Sequence, residues 1–143
     1  LQPATVAAAI ASLQNDPQAM VATAATPITA AAALSPHIVK CVFDKENNAL
    51  YFSRAPIPYQ ADCYYQHLGF YVYRTPFLLA YAALKDTPLQ IYEDLEQLKI
   101  LENGYRIKIA VVQDNPLGVD VPQDIAKVEK YLCQSNTYLS PAG

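Results

Sequence analysis

Between Asn48 and Arg74 the chain reads NALYFSRAPIPYQADCYYQHLGFYVYR, two runs rich in aromatic and β-branched residues separated by prolines. Such runs suit strands of a buried sheet. Pro56 and Pro58 cannot donate to a ladder, so the two strands are interrupted, and the phenolic segment around Tyr59, Tyr64 and Tyr65 reads as the loop between them. Arg54, His67, Tyr71 and Arg74 stand among residues that otherwise look like core. A cation held beside an imidazole and a phenol fits an anionic, hydroxylated ligand better than it fits an apolar interior.

Strands and helices alternate on either side of this stretch. Residues 3–15 (PATVAAAIASLQN) read as a helix, with Pro3 in the first turn and Val6, Ile10 and Leu13 at helical spacing. Asp16-Pro17 stops it. Residues 19–25 read as a short strand ended by Pro27, and 29–34 as an Ala-rich linker or helical turn. Residues 38–44 and 49–53 form a hairpin around the polar turn 45–48. In the strand 67–74, His67, Gly69, Tyr71 and Tyr73 share one face, and Leu68, Phe70, Val72 and Arg74 the other. Gly69 marks a bulge or a close approach to the backbone. Thr75-Pro76 opens a helix to about residue 84, and Thr87-Pro88 opens a second to about residue 102, closed by Gly104. Ile91, Leu95, Leu98 and Leu101 face inward in that second helix, while Glu93, Glu96, Gln97 and Ile100 share a stripe. The strand 106–113 turns continuously apolar, which suggests an inner position. A last helix is expected over 123–134. The order predicts a single three-layer α/β domain with an antiparallel insertion at one edge.

The bulk numbers narrow the function. The 143 residues are 52% hydrophobic and 16% charged, which suits one globular domain. A net charge of −3 argues against nucleic acid as the main partner. Cys41, Cys63 and Cys133 are odd in number and widely spaced. They give neither a zinc pattern nor a disulfide framework, and they point to a reducing, cytoplasmic setting and to core roles. Residues 18–39 carry no formal charge, yet they are Ala/Thr-rich and broken by Pro27 and Pro36, so they do not read as a membrane span. With the first lysine at Lys40, no secretory leader is read either. The chain opens on Leu1 and its one methionine is Met20, which leads to the expectation of a processed, trimmed or partial chain.

Each candidate group has two readings. Arg54 is either a fork for a carboxylate or phosphate, or a surface arginine at a strand end. His67 and Tyr71 are donors for a hydroxylated ligand, or a satisfied core histidine and a packed tyrosine. Glu96 and Gln97 bind hydroxyls, or they line a solvated helix face. Asp120 is a magnesium ligand at a strand's carboxyl end, or the N-cap of the last helix. No glycine-rich phosphate loop, GxGxxG or HExxH is present.

Four stretches taken together settle which family to compare. ALYFSRAPIP (49–58), HLGFYVYR (67–74), PLQIYEDLEQLKIL (88–101) and GVDVPQDI (118–125) closely resemble, in order and spacing, the C-terminal part of the CMP-Kdo synthetases, the 3-deoxy-manno-octulosonate cytidylyltransferases. The resemblance implies a nucleotide-diphospho-sugar-transferase-like (Rossmann-like) sheet, with residues 48–74 as sugar-binding and dimerisation strands of a homodimer. It implies attack of the Kdo anomeric hydroxyl on the α-phosphorus of CTP, with Mg²⁺ neutralising charge, in service of lipopolysaccharide synthesis. Arg54 is then assigned to the sugar carboxylate, His67, Tyr71, Glu96 and Gln97 to the rest of the sugar, and Asp120 to the metal. The family's triphosphate loop and its QGDEP-like motif have no counterpart here, so the chain as given is expected not to catalyse alone. Gln90, Lys99 and Val121 replace a common glutamate, arginine and threonine, and the connection from Pro58 to His67 is short. An N-acylneuraminate-type cytidylyltransferase and a noncatalytic dimeric sugar-binding module are the alternatives.

Overall fold

β1 (Ala19–Ile28) carries the sheet, because it is hydrogen-bonded along both edges. The computed structural model describes residues 1–113. Asp120, Cys133, the loop 114–118 and the helix expected over 123–134 lie outside the described residues. The remaining elements are α1 (Pro3–Asn15), α2 (Ala30–Ala33), β2 (Lys40–Phe43), β3 (Ala49–Ser53), β4 (Tyr64–Tyr73), α3 (Thr75–Ala82), α4 (Pro88–Glu93), α5 (Gln97–Glu102) and β5 (Arg106–Val111). Five strands lie in the order β3-β2-β4-β1-β5, with β1 antiparallel to β4 and parallel to β5. This is the mixed α/β arrangement the sequence predicts.

The two faces of the sheet are packed differently. On one face α1 sets Ala9 and Leu13 against Ala19, Ala22, Ala24, Leu68 and Ala110. Small side chains on both sides bring helix and sheet close together. For that reason the buried line of α1 is Thr5, Ala9 and Leu13, and Ile10, expected inside, stays 40% exposed. On the other face α3 and α5 contribute Phe77, Leu98 and Ile100 to a larger cluster with Phe52, Ile107 and Ile109.

Several expectations need correction. Among the described residues β5 lies at the end of the sheet, whereas an inner position was expected. Beyond β1, its other edge meets, among the described residues, the β2–β3 turn, through an Asn48–Lys108 bridge and the Ile109 amide donating to Asn47 O at 2.8 Å. β1 runs through Pro27, which lies past its last pair with β5, where among the described residues one edge is open and a proline is tolerated. β4 starts at Tyr64, three residues before the expected start, because Tyr64 is buried and Tyr65 packs edge-on against Phe43 at 4.8 Å. The residue capping α3 is Arg74 rather than Thr75. The helix expected over 88–102 is broken into α4 and α5 at Asp94, whose φ of 54° and ψ of 51° end the first helix. Aspartate tolerates this left-handed conformation better than most residues.

Gly69 lies in a true bulge. The register passes from Ala22 opposite Val72 to Ala24 opposite Leu68, so β4 holds two more residues than β1 there. A Cβ at Gly69 would meet nothing within 4 Å, so the bulge, not a close approach, explains the position.

Arg74 is structural. Its Nε donates to Ala19 O at 2.8 Å, and one terminal nitrogen donates to Leu13 O at 2.6 Å and Asp16 O at 3.1 Å. It thus ties the end of α1 and the start of β1 to the end of β4. Beside it Asp16 holds Arg106 and Lys108 at 3.2 and 3.3 Å. Partial burial pushes the Asp16 carboxyl up, but the Gln18 amide and the two cations outweigh it and hold the carboxyl below its usual range. Replacing Arg74 by Met strands three carbonyl groups, so Arg74→Met is expected to cost roughly 2–4 kcal/mol in urea unfolding. A midpoint unchanged from the parent chain would contradict that role.

Candidate functional site

The site begins where β3 ends against the break between α4 and α5. Because the helix stops at Asp94, the Glu93 carboxylate is directed to β3 instead of along a helical stripe. Its Oε1 accepts from Ser53 Oγ at 2.7 Å and from the Tyr51 hydroxyl at 3.4 Å, and its Oε2 accepts from the Arg54 amide at 2.9 Å. Arg54 returns the contact. Its Nε donates to Glu93 O at 2.9 Å, and its terminal nitrogens donate to Pro36 O and Asp94 O at 3.3 Å each. The guanidinium is therefore braced by carbonyl groups and, among the described residues, not neutralised by a close carboxylate. Asp94 Oδ2 is 3.8 Å away on a side chain 96% exposed, a pairing of little strength. Arg54 keeps 40% of its side chain exposed and keeps its charge available. Arg54 is thus a partly exposed arginine just past the end of β3, tied to backbone carbonyl groups.

Lys40 lies beneath this corner, fully buried. Its ammonium donates to Ser35 O at 2.8 Å and to Ile38 O and Arg54 O at 2.5 Å each. Burial pulls its pKa below the usual lysine value, partly offset by the nearby Glu93. Three carbonyl partners stand in for water around the charge. A lysine in the apolar strand IVKCVF was the sequence signal for it, though a surface strand position explains the same pattern.

His67 and Tyr71 belong to an aromatic wall on β4. They share a face of β4 as expected, with ring centroids 5.5 Å apart, and Phe52 meets the imidazole edge-on at 5.0 Å. Tyr71, Tyr73 and Tyr81 continue the wall at 5.9 and 5.8 Å spacings. Burial pushes the His67 pKa down to about 4, so the ring is neutral at pH 7. Burial also raises the Tyr73 phenol to about 12 and the Tyr71 phenol further, helped by neighbouring phenols and Glu96. Every phenol of this wall is therefore a neutral hydrogen-bond donor.

Glu96 and Gln97 stand just past the break. Glu96 is exposed and accepts from the Tyr81 hydroxyl at 3.4 Å. Gln97 is only 4% exposed, yet its amide forms no hydrogen bond to another described residue. The break separates the expected stripe, with Glu93 on β3, Glu96 near Tyr81 and Ile100 in the core. Glu102 closes the corner by accepting from the Leu89 and Gln90 amides at 3.1 and 3.2 Å at the start of α4.

Of the residues singled out from the sequence, Arg54 reaches the helix break through Glu93 and Asp94, Glu96 and Gln97 follow that break in sequence, and His67 and Tyr71 meet on β4. Asp120 lies outside the described residues. Among the described residues, no group of three or more His, Cys, Asp or Glu side chains is placed to hold a metal, so no metal-dependent step is derived from them. Buried Cys41 has its thiol pushed up to about 12, which suits a core residue.

This combination, a mixed sheet with helices on both faces and a braced arginine beside an aromatic wall, is that of a nucleotidyltransferase-like domain. Residues 1–109 match the family model described as cytidylyltransferase, and the chain belongs to that family. It is 51% identical to the 3-deoxy-manno-octulosonate cytidylyltransferase of Protochlamydia amoebophila, over 97% of this chain and 57% of that protein. It is 40% identical to the mitochondrial 3-deoxy-manno-octulosonate cytidylyltransferase of Arabidopsis thaliana, over 95% of this chain and 49% of that protein. A solved structure of CMP:2-keto-3-deoxy-manno-octonic acid synthetase complexed with CTP superposes with a TM-score of 0.88 at 35% identity, covering 94% of this chain and 58% of the other. The chain thus spans about half the length of the curated relatives it matches.

The buried His67 makes stability depend on pH. Its folded pKa, about 4, lies below the ordinary histidine value of 6.5, so acid favours the unfolded chain, which takes up the proton first. Stability is expected to be full above pH 6.5 and to fall by roughly 3 kcal/mol between there and pH 4. Urea unfolding at pH 7 and pH 5 checks this, and His67→Gln should flatten the difference. An equal slope in both proteins would contradict the assignment.

Proposed function

We propose that this chain forms the sugar-acid-binding part of a 3-deoxy-manno-octulosonate cytidylyltransferase, which joins Kdo and CTP to give CMP-Kdo and pyrophosphate. The observation that supports the reading is the Arg54 guanidinium, partly exposed and fixed by the carbonyl groups of Glu93 and Asp94 at the helix break that Glu96 and Gln97 follow. A guanidinium held in place by backbone acceptors loses little freedom when it meets a carboxylate. Arg54 forks onto the Kdo carboxylate. Gln97, Glu96, His67 and Tyr71 take its hydroxyls, and the neutral phenols and imidazole add no competing charge.

The chemistry asks for placement more than for covalent help. The anomeric oxygen forms a bond to the α-phosphorus of CTP as the bond to pyrophosphate breaks, and holding the nucleophile in line supplies much of the rate. In this proposal the chain positions the sugar, Mg²⁺ belongs with Asp120, and the triphosphate is held elsewhere. A homodimer is part of the same reading, since β3 is an edge strand among the described residues and Leu50 and Tyr59 are exposed beside it. A cytoplasmic role in lipopolysaccharide synthesis belongs to the same proposal and rests on the motif resemblance alone.

Calorimetric titration of the chain with Kdo tests the proposal. Arg54→Ala is expected to weaken Kdo about 10- to 100-fold, the loss of a charge-assisted bond, and Gln97→Leu about 5- to 10-fold. N-acetylneuraminate should compete poorly, and the chain alone should release no pyrophosphate from Kdo and CTP. Tighter binding of N-acetylneuraminate, or Kdo affinity unmoved by both variants, would overturn it.

A further inference from the structure

The bulge in β4 has a second consequence at His67. Thr23 of β1 faces the bulge from inside the sheet, fully buried. Its hydroxyl lies 2.7 Å from Phe70 O, 3.1 Å from Leu68 O and 2.9 Å from His67 Nε2. A hydroxyl carries one hydrogen and two lone pairs. The two carbonyl oxygens can only accept, so the Thr23 hydrogen is committed to them. The contact with the imidazole is then attractive only if Nε2 carries the ring proton and donates to a Thr23 lone pair.

We propose that Thr23 is a positioning residue that holds the His67 ring with its proton on Nε2, so that Nδ1 faces the ligand as a hydrogen-bond acceptor for a sugar hydroxyl. This rests on the sugar-acid reading of the site and specifies the direction of one of its hydrogen bonds. Nδ1 has no hydrogen-bond partner among the described residues. The one side-chain polar atom among them that is both sealed and unpartnered is Thr87 Oγ1, so Nδ1 retains access to solvent or ligand. The same threonine also satisfies carbonyl groups that the bulge takes out of the ladder. Local chain geometry and ring orientation are thereby set by one hydroxyl. His67 is neutral at pH 7, the state in which a tautomer is defined.

The test is a two-bond ¹H–¹⁵N correlation spectrum of the ¹⁵N-labelled chain at pH 7, without ligand. Only His37 and His67 contribute, and His37→Gln assigns them. The expected pattern for His67 is that of a ring protonated on Nε2. In Thr23→Val the pattern should shift toward the other tautomer or average between the two, with Kdo affinity about tenfold weaker. Thr23→Ser should restore both. A parent-chain ring protonated on Nδ1 overturns the proposal with no variant needed, and so does a Thr23→Val chain that keeps the parent pattern. If the parent chain fails to bind Kdo, the sugar reading falls and the acceptor role with it, while the tautomer, read without ligand, is judged separately.

Discussion

Three donors converge on the Glu93 carboxylate from the end of β3, and this clasp fixes the relation between the sheet and the broken helix. It works only because Asp94 adopts a left-handed conformation and ends α4 there. A continuous helix would carry Glu93 on the same stripe as Glu96. With the break, Glu93 anchors inward while Glu96 and Gln97 begin a new helix at the rim. Arg54 closes the circuit by donating to the carbonyl groups of Glu93 and Asp94. Those carbonyl groups are the ones a helix end leaves without partners, so the cation also completes the C-terminus of α4.

The packing around this corner divides the labour. One face of the sheet is alanine on alanine and holds α1 close. The other is aromatic and aliphatic, and it buries His67 and Tyr71 deeply enough to keep both neutral. Polar groups in that second face are not adrift. Thr23 serves the bulge and the imidazole, Lys40 is surrounded by three carbonyl groups, and Glu93 by three donors.

Much of this was legible in the residues. The helix over 3–15, the hairpin around residues 45–48 and the face shared by His67 and Tyr71 follow from period and turn chemistry. The motifs SRAPIP and LEQL marked Arg54, Glu96 and Gln97. The central position of β1 was hidden, because Ala and Thr give a weak strand signal and burial came from two neighbours that sequence does not reveal. The break at Asp94 was hidden for a different reason. Good caps at Thr87 and Gly104 suggested one helix, and a single aspartate is a faint sign of a left-handed residue. Thr23 could not be read at all, since its role depends on a register shift between strands 44 residues apart at the His67 contact.

The most direct test is a crystal structure of the chain grown with Kdo. The account predicts the sugar carboxylate within hydrogen-bond distance of the Arg54 guanidinium, with its hydroxyls reaching the Gln97 amide and His67 Nδ1. Kdo bound away from the α4–α5 break, with Gln97 still unpartnered, would contradict it.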